Sequence, residues 1–379
     1  MARMNYSDHV LFDECVKVLR EDTYTQGVIH AKSDTYSYIV TSFCLPEDWE
    51  FDDFIISKSE KVEFFGLHAA CVSCIKNPGY MNEFDSHLFG QTIAAIMSFS
   101  TRKPCKSTRS PQSSHIKLLD ESIKKRIALN NPIQICADGA FIIDLPKDKT
   151  ENFRSDLLEL VRQLKSLDKS DYLAVMNSLR LVHMSLLNKR DDFGLAYSLL
   201  VASIEAISKV AFSKSEYKES NEKLERWKEI TSDNVELTEL FKEYKAECSN
   251  KGYSKKTFKM FIERYAPFSS WDALVEQPLS DIDDNLLKGA LSRIEIFTKK
   301  PSQCSPDSLS ESLDNAYKFR STLVHSGKQP PHIDPSPTND LYFIDTLRCN
   351  KPSIAPTYDL LLGLATTSIE NWLKQKTAS

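Results

Sequence analysis

The ten glycines of this 379-residue chain stand at positions 27, 66, 79, 90, 139, 194, 252, 289, 327 and 363. They make up under 3% of the residues, against a usual share of about 7%. No two lie within eight residues of each other. A dinucleotide-binding turn and a phosphate-binding loop both need clustered glycines, because the backbone must approach the phosphates closely. The Gly-x-Ser-x-Gly elbow of the α/β-hydrolases needs two glycines flanking its serine. All three are excluded, and most common nucleotide- and ester-handling folds go with them.

A chain of this length predicts two domains. Apolar residues at 41% and charged residues at 27% are ordinary for a globular protein. Basic residues number 48 and acidic residues 53, a net charge of −5. No overall positive field draws in nucleic acid, so any such contact needs a local patch. No apolar run near 18 residues and no leader pattern stands out, which predicts a cytoplasmic protein without a membrane partner. Nine scattered cysteines in that setting predict reduced thiols, not a disulfide framework.

Residues 1–150 mix strand and helix signals and read as an α+β domain. A short helix or irregular lead-in suits 9–20. Strands suit 35–43 and 61–75, the latter stopped by Asn77-Pro78-Gly79, and a helix suits 86–98. Residues 132–144 read as a hairpin turning at Asp138-Gly139. Between these, residues 101–126 hold eight Lys or Arg against two acids, and the first half is rich in Ser and Pro. That half reads as a mobile surface loop. In a sharper version Arg102, Lys103, Lys106 and Arg109 form an arm that contacts RNA phosphates.

From residue 151 to 379 the pattern is helical. Apolar residues recur at 3.6-residue spacing over 153–167, 171–189, 193–212, 217–229, 233–248, 254–265, 282–298, 308–326 and 357–376. No strand stands out. Residues 327–353, with five of the sixteen prolines, form a long connection. The expectation is an all-α helical bundle following the α+β domain.

Two of these helices treat charge unusually. In 193–208 (FGLAYSLLVASIEAIS) the one charge is Glu205, and a buried carboxylate needs a partner. In 308–327 (SLSESLDNAYKFRSTLVHSG) Arg320 follows Leu309, Leu313 and Ala316 on the apolar stripe. A core-facing guanidinium calls for a planar anion. His325 comes five residues later, before the helix stop Gly327. Five residues of ideal helix turn about 140° net, so His325 approaches Arg320 only if the last turn frays. Glu205 and Arg320 suit a structural ion pair, with His325 capping carbonyls. The sharper reading is an acid, a cation and an imidazole gathered for chemistry, and spacing alone favours the structural one.

Glu205 in SIEAIS, followed much later by YKFRSTLVHSG, resembles the HEPN superfamily, and within it the Apea-like branch. The resemblance covers about residues 151–379. The Arg-x(4–6)-His spacing also occurs at Arg3…His9 and Arg109…His115, but only Arg320…His325 falls on a helical stripe downstream of the acidic helix. The resemblance implies a metal-independent ribonuclease, without cofactor, that dimerises to bring two Arg–His motifs to one cleft. Arg320 and His325 then stand as the catalytic pair, with Glu205 and Ser321 supporting. Many active members carry Asn, Asp or His directly after the arginine, where this chain has Ser321. The resemblance further implies an RNA substrate, a homodimer, and a role as toxin or anti-phage effector. A protein or ligand trigger would then act at residues 1–150. The runner-up is a non-catalytic HEPN-type module that binds RNA or protein.

Two other constellations are weaker. His68, Cys71 and Cys74 have zinc-like spacing, but no second Cys pair follows, and in a strand Cys71 and Cys74 point to opposite faces. No metal is expected. Residues 251–264 set Lys251, Lys255, Lys256 and Lys259 beside Tyr253, Phe258 and Phe261. An amphipathic helix explains that pattern. Lys255 and Lys256 are RNA-contact candidates if the aromatics stack on bases.

Overall fold

The computed structural model describes residues 8–24, 34–64, 67–109, 120–133, 145–213, 216, 222–275, 300–329, 342–345 and 354–378. A mixed α/β region with a β-sheet and flanking helices comes first, and an all-α helical bundle follows it. Two compact units are formed. One contains the chain up to Leu199 and the end of the last helix from Leu373, and the other contains Leu200–Pro331 and Thr338–Trp372.

The first unit opens with helix α1 (Asp8–Val18), then strands β1 (Tyr36–Thr41), β2 (Trp49–Glu50), β3 (Ile55–Ile56), β4 (Glu60–Phe64) and β5 (Leu67–Lys76). Helix α2 (Ser86–Thr101), strand β6 (Cys105–Ser107) and helices α3 (Glu121–Asn130), α4 (Lys147–Ser166) and α5 (Lys169–Asn188) complete it. The sheet order is β2-β3-β5-β1-β6, with β4 also paired to β5. β1 and β5 run antiparallel from Tyr36↔Lys76 to Thr41↔Cys71.

Alternation sorts each strand's side chains onto two covered faces. Tyr38 and Val40 of β1 join Val62, Ala70 and Val72 in a cluster closed by Ile127 and Ala128 of α3. The opposite face lies under α2, where Gly90 permits a close approach. A Cβ there would stand 2.5 Å from Ser107 Oγ and 3.0 Å from Ser37 Cβ. Asp120 caps α3 by accepting from the Ile123 amide at 2.8 Å, and Asp168 caps α5 by accepting from the Asp171 amide at 2.9 Å.

Helix α6 (Phe193–Ala211) runs from the first unit into the second. The second unit continues with α7 (Glu222–Thr231), α8 (Val235–Tyr265), α9 (Pro306–Ser326), a two-stranded ribbon of β7 (Phe343–Asp345) and β8 (Ile354–Pro356), and α10 (Tyr358–Ala378). Its core includes Ile204, Phe258, Phe261, Leu313, Leu361 and Ile369, all fully buried. Ser305 caps α9, accepting from the Ser308 amide at 3.2 Å, and Pro306 occupies the first turn, where its missing N–H costs nothing.

Several sequence expectations change. The expected helices 233–248 and 254–265 are one 31-residue helix, because Gly252 costs only about 1 kcal/mol in a helix interior and no proline intervenes. The loop expected at the start of 101–126 contains β6, since pairing to β1 satisfies its backbone. The helical half does contain strand, in β7 and β8.

Cys44 and Cys71 form a disulfide, Cα–Cα 5.6 Å, where free thiols were expected. The register Thr41↔Cys71 brings the chain just beyond β1 back over β5, a proximity that residue spacing does not reveal. One helix among the described residues, Phe193–Ala211, is long and apolar enough to cross a membrane by length and composition, contrary to the expectation of no such run. Its Ala196, Leu200, Val201, Ile204 and Ile207 are fully buried within the protein, as in a core helix. The hairpin expected over 132–144 and the helix over 282–298 lie outside the described residues, apart from the first positions of the hairpin.

Candidate functional site

Three helices of the second unit, α6, α8 and α9, converge on a cluster of charge. α6 supplies Glu205 from an apolar surround that leaves the residue 7% exposed. Its Oε1 stands 3.0 Å from Lys209 Nζ, one turn on, and its Oε2 stands 3.4 Å from a terminal guanidinium nitrogen of Arg320 on α9. Oε2 accepts no hydrogen bond among the described residues. The contact with Arg320 is therefore an ion pair without an aligned N–H.

α9 also carries Asp314, Tyr317 and Arg320 at three-residue steps, each a neighbour of the next, with Asp314 and Arg320 about 120° apart around the helix. Asp314 Oδ1 lies 3.2 Å from Lys255 Nζ and 3.1 Å from Lys259 Nζ, two lysines one turn apart on α8. Like Glu205 Oε2, it is buried and accepts no hydrogen bond among the described residues. Tyr317 sits between Asp314 and Arg320 in sequence, its ring 5.7 Å from that of Phe258. Its hydroxyl is pushed above the usual tyrosine pKa by burial first and the Glu205 charge second, with Arg320 and a hydrogen bond to Ser254 opposing.

His325 lies elsewhere on α9. The helix continues through Ser326, and Gly327 ends it in the left-handed conformation, φ 65°, donating its amide to Leu323 O at 2.9 Å. The last turn does not fray, so the net angle of about 140° between Arg320 and His325 stands. Arg320 turns toward Glu205, whereas His325 is exposed to solvent, next to the exposed Val324. Ser321 is half-buried beside Arg320.

The other candidates separate. Lys255 is exposed and Lys256 half-buried, and the neighbouring Phe258 and Phe261 are fully buried. Those two rings fill the core and are closed to base stacking. Arg102 and Lys103 are half-buried where α2 ends, Arg102 in the left-handed conformation at φ 55°. Lys106 lies within β6 and donates to the carbonyl of Pro132. Burial lowers the pKa of its ammonium. Arg109 is exposed. The basic segment is thus partly built into the sheet and does not form one free arm.

Cys71 and Cys74 fall on opposite faces of β5, and Cys71 is bonded to Cys44. No group of His, Cys, Asp and Glu suited to a metal ion occurs among the described residues. Asp314, Lys259, Lys209 and Tyr317 were not among the site residues singled out from sequence. The three-residue step to Arg320 signals Asp314 and Tyr317, Lys259 stands in the basic and aromatic run 251–264, and Lys209 carries no signal of its own. No family model, curated protein or solved structure matches the chain.

Proposed function

We propose that this chain is a metal-independent endoribonuclease of the HEPN kind, acting on RNA in the cytoplasm as a toxin or anti-phage effector under control of its N-terminal region. The observation that carries the reading is the pairing of Arg320 with the buried Glu205 on the same helix that ends in the exposed His325. An imidazole free to solvent can exchange protons with a substrate, as general acid–base work requires. A guanidinium held beside a buried carboxylate by charge has donors to offer to phosphoryl oxygens.

In the proposed reaction the RNA 2′-oxygen attacks the adjacent phosphorus and the bond from phosphorus to the 5′-oxygen breaks. One imidazole takes the 2′-hydroxyl proton, and a second supplies a proton to the leaving 5′-oxygen. The products are a 2′,3′-cyclic phosphate and a 5′-hydroxyl. His325 fills one role in each copy, and a homodimer brings two copies of it to one cleft. Arg320 stabilises the phosphoryl charge, Glu205 orients Arg320, and Ser321 supports them.

The test is incubation of the full chain with single-stranded RNA in the presence of a chelator. Cleavage with cyclic-phosphate ends, lost in His325→Ala and absent on DNA, is expected. A His325→Ala protein as active as the wild type removes the nuclease reading. A second reading, a non-catalytic HEPN-type module binding RNA or protein, is favoured by one observation. The intact last turn of α9 points His325 and Arg320 in different directions. RNA binding without cleavage, unaffected by His325→Ala, supports it.

A further inference from the structure

The cluster between α6, α8 and α9 holds more positive charge than its own carboxylates use. Glu205 gathers Lys209 and Arg320, and Asp314 gathers Lys255 and Lys259. Two anions face four cations in a chain whose net charge is −5. Side-chain exposure is 57% for Lys209, 26% for Arg320, 48% for Lys255 and 23% for Lys259, so each cation keeps a path to solvent.

The inner oxygens, Glu205 Oε2 and Asp314 Oδ1, accept no hydrogen bond among the described residues although cations stand within 3.4 Å of them. The N–H groups of Arg320, Lys255 and Lys259 are therefore not spent on these two oxygens. A carboxylate in this position holds two cations near each other against their mutual repulsion and leaves their donors for an outside anion. Asp314 and Arg320 are six residues apart on α9, which separates them by about 9 Å along the helix axis and about 120° around it.

We propose that Lys255 and Lys259 around Asp314 form a phosphate-binding station for the backbone of single-stranded RNA, with a second station at Arg320 and Lys209 around Glu205. Asp314 and Glu205 are positioning residues that hold the cations in place. Phosphate contact is independent of base sequence, so the strip sets affinity and register and leaves base choice to other parts of the molecule. This inference rests on the reading of RNA as the substrate and assigns the Lys255–Lys259 station to it.

The experiment measures binding of the full chain to a fluorescent single-stranded oligonucleotide fully 2′-O-methylated, which lacks the attacking hydroxyl and cannot be cleaved. Cleavage of the unmodified RNA is measured alongside. Lys255→Gln with Lys259→Gln is expected to weaken binding about tenfold at low salt. The slope of log affinity against log salt should become shallower by about 1.4, or about 0.7 for each lost phosphate contact on a single strand. The triple variant adding Asp314→Asn removes the unpaired carboxylate and guards against a folding defect, and it should bind as weakly. Asp314→Asn alone keeps both lysines but not the charge that holds them together, and should bind about threefold more weakly, whereas tighter binding overturns the positioning role. An unchanged affinity and salt slope in the double variant, or no binding by the wild type, overturns the strip. Normal cleavage with unaltered binding in the double variant overturns the strip and leaves the nuclease standing. Strip-dependent binding without cleavage of unmodified RNA supports the strip and overturns the nuclease.

Discussion

Arg320 on α9 stands 3.4 Å from the inner carboxylate oxygen of Glu205 on α6, while the other oxygen of Glu205 lies 3.0 Å from Lys209. Burying an ionised carboxylate is unfavourable unless opposite charge accompanies it. Arg320→Ala leaves Glu205 with Lys209 alone, at the exposed edge. A loss of about 1–3 kcal/mol is expected, less than for a sealed pair because the arginine is about a quarter exposed. Adding Glu205→Gln should recover most of it. Urea midpoints of the two single variants and the double variant measure the coupling, and strict additivity would mean that the pair contributes nothing.

The exposed His325 has a different role in stability. His325→Ala removes a side chain that lies in solvent at the end of α9, so the unfolding midpoint should shift by less than the equivalent of about 0.5 kcal/mol. A stable protein that has lost RNA cleavage separates a role in chemistry from a role in packing. A large drop in stability would instead make the imidazole a structural cap.

Gly327 controls the turn that carries His325. Its φ of 65° is a left-handed conformation, and the site around it is open, so a Cβ there meets no neighbour. Gly327→Ala should therefore cost only the backbone strain, about 1 kcal/mol. Hydrogen exchange at Val324, His325 and Ser326 should accelerate as the last turn opens, with the rest of α9 unchanged. Equal protection in both proteins would show that the glycine is not what holds the helix end.

His183 on α5 provides a pH dependence. Its Nδ1 lies 2.8 Å from Ser98 Oγ. Burial first, then the positive charges of Lys106 and Arg180, lower its pKa to about 4 from an ordinary 6.5. The unfolded chain binds a proton here below about pH 6.5, whereas the folded chain resists it until about pH 4. The folded state therefore keeps its full advantage above pH 6.5, loses it as pH falls to 4, and loses no more through this residue below that. The change approaches about 3 kcal/mol over the interval. Urea unfolding across pH 4–7 should show this slope in the wild type and a flatter one in His183→Asn.

The Cys44–Cys71 disulfide closes a loop with a sequence separation of 27. Constraint of the unfolded chain by a loop of that size is worth about 3 kcal/mol. Thermal unfolding with and without a thiol reductant, compared with a Cys44→Ser, Cys71→Ser protein, measures it. The reductant should lower the midpoint of the wild type and leave the double variant unmoved.

Much of the architecture was legible along the chain. The apolar recurrence over 357–376 reappears as α10, and the β-branched run at 35–43 contains β1. Both patterns are local consequences of covering one or two faces of a regular backbone. The break expected near residue 250 did not occur, because one glycine in an otherwise helical stretch is too small a penalty to end a helix. β6 escaped notice because three residues among Ser, Lys and Pro carry no strand pattern of their own. Pairing with β1 defines that strand.

At the candidate site, residue types and their order along α9 come from the sequence alone. A lone acid in an apolar helix and an arginine on an apolar stripe already demand partners, because charge is unfavourable away from water. Which partners they take is a tertiary matter. Glu205 meets Arg320 across 115 residues of chain, and Asp314 meets two lysines of α8 that its own spacing along α9 does not identify. The direction of His325 also depended on the folded helix end, since α9 stays helical through Ser326 and so keeps the imidazole turned away from Arg320. Periodicity reports which side of a helix is buried, and packing between distant segments determines what that side touches.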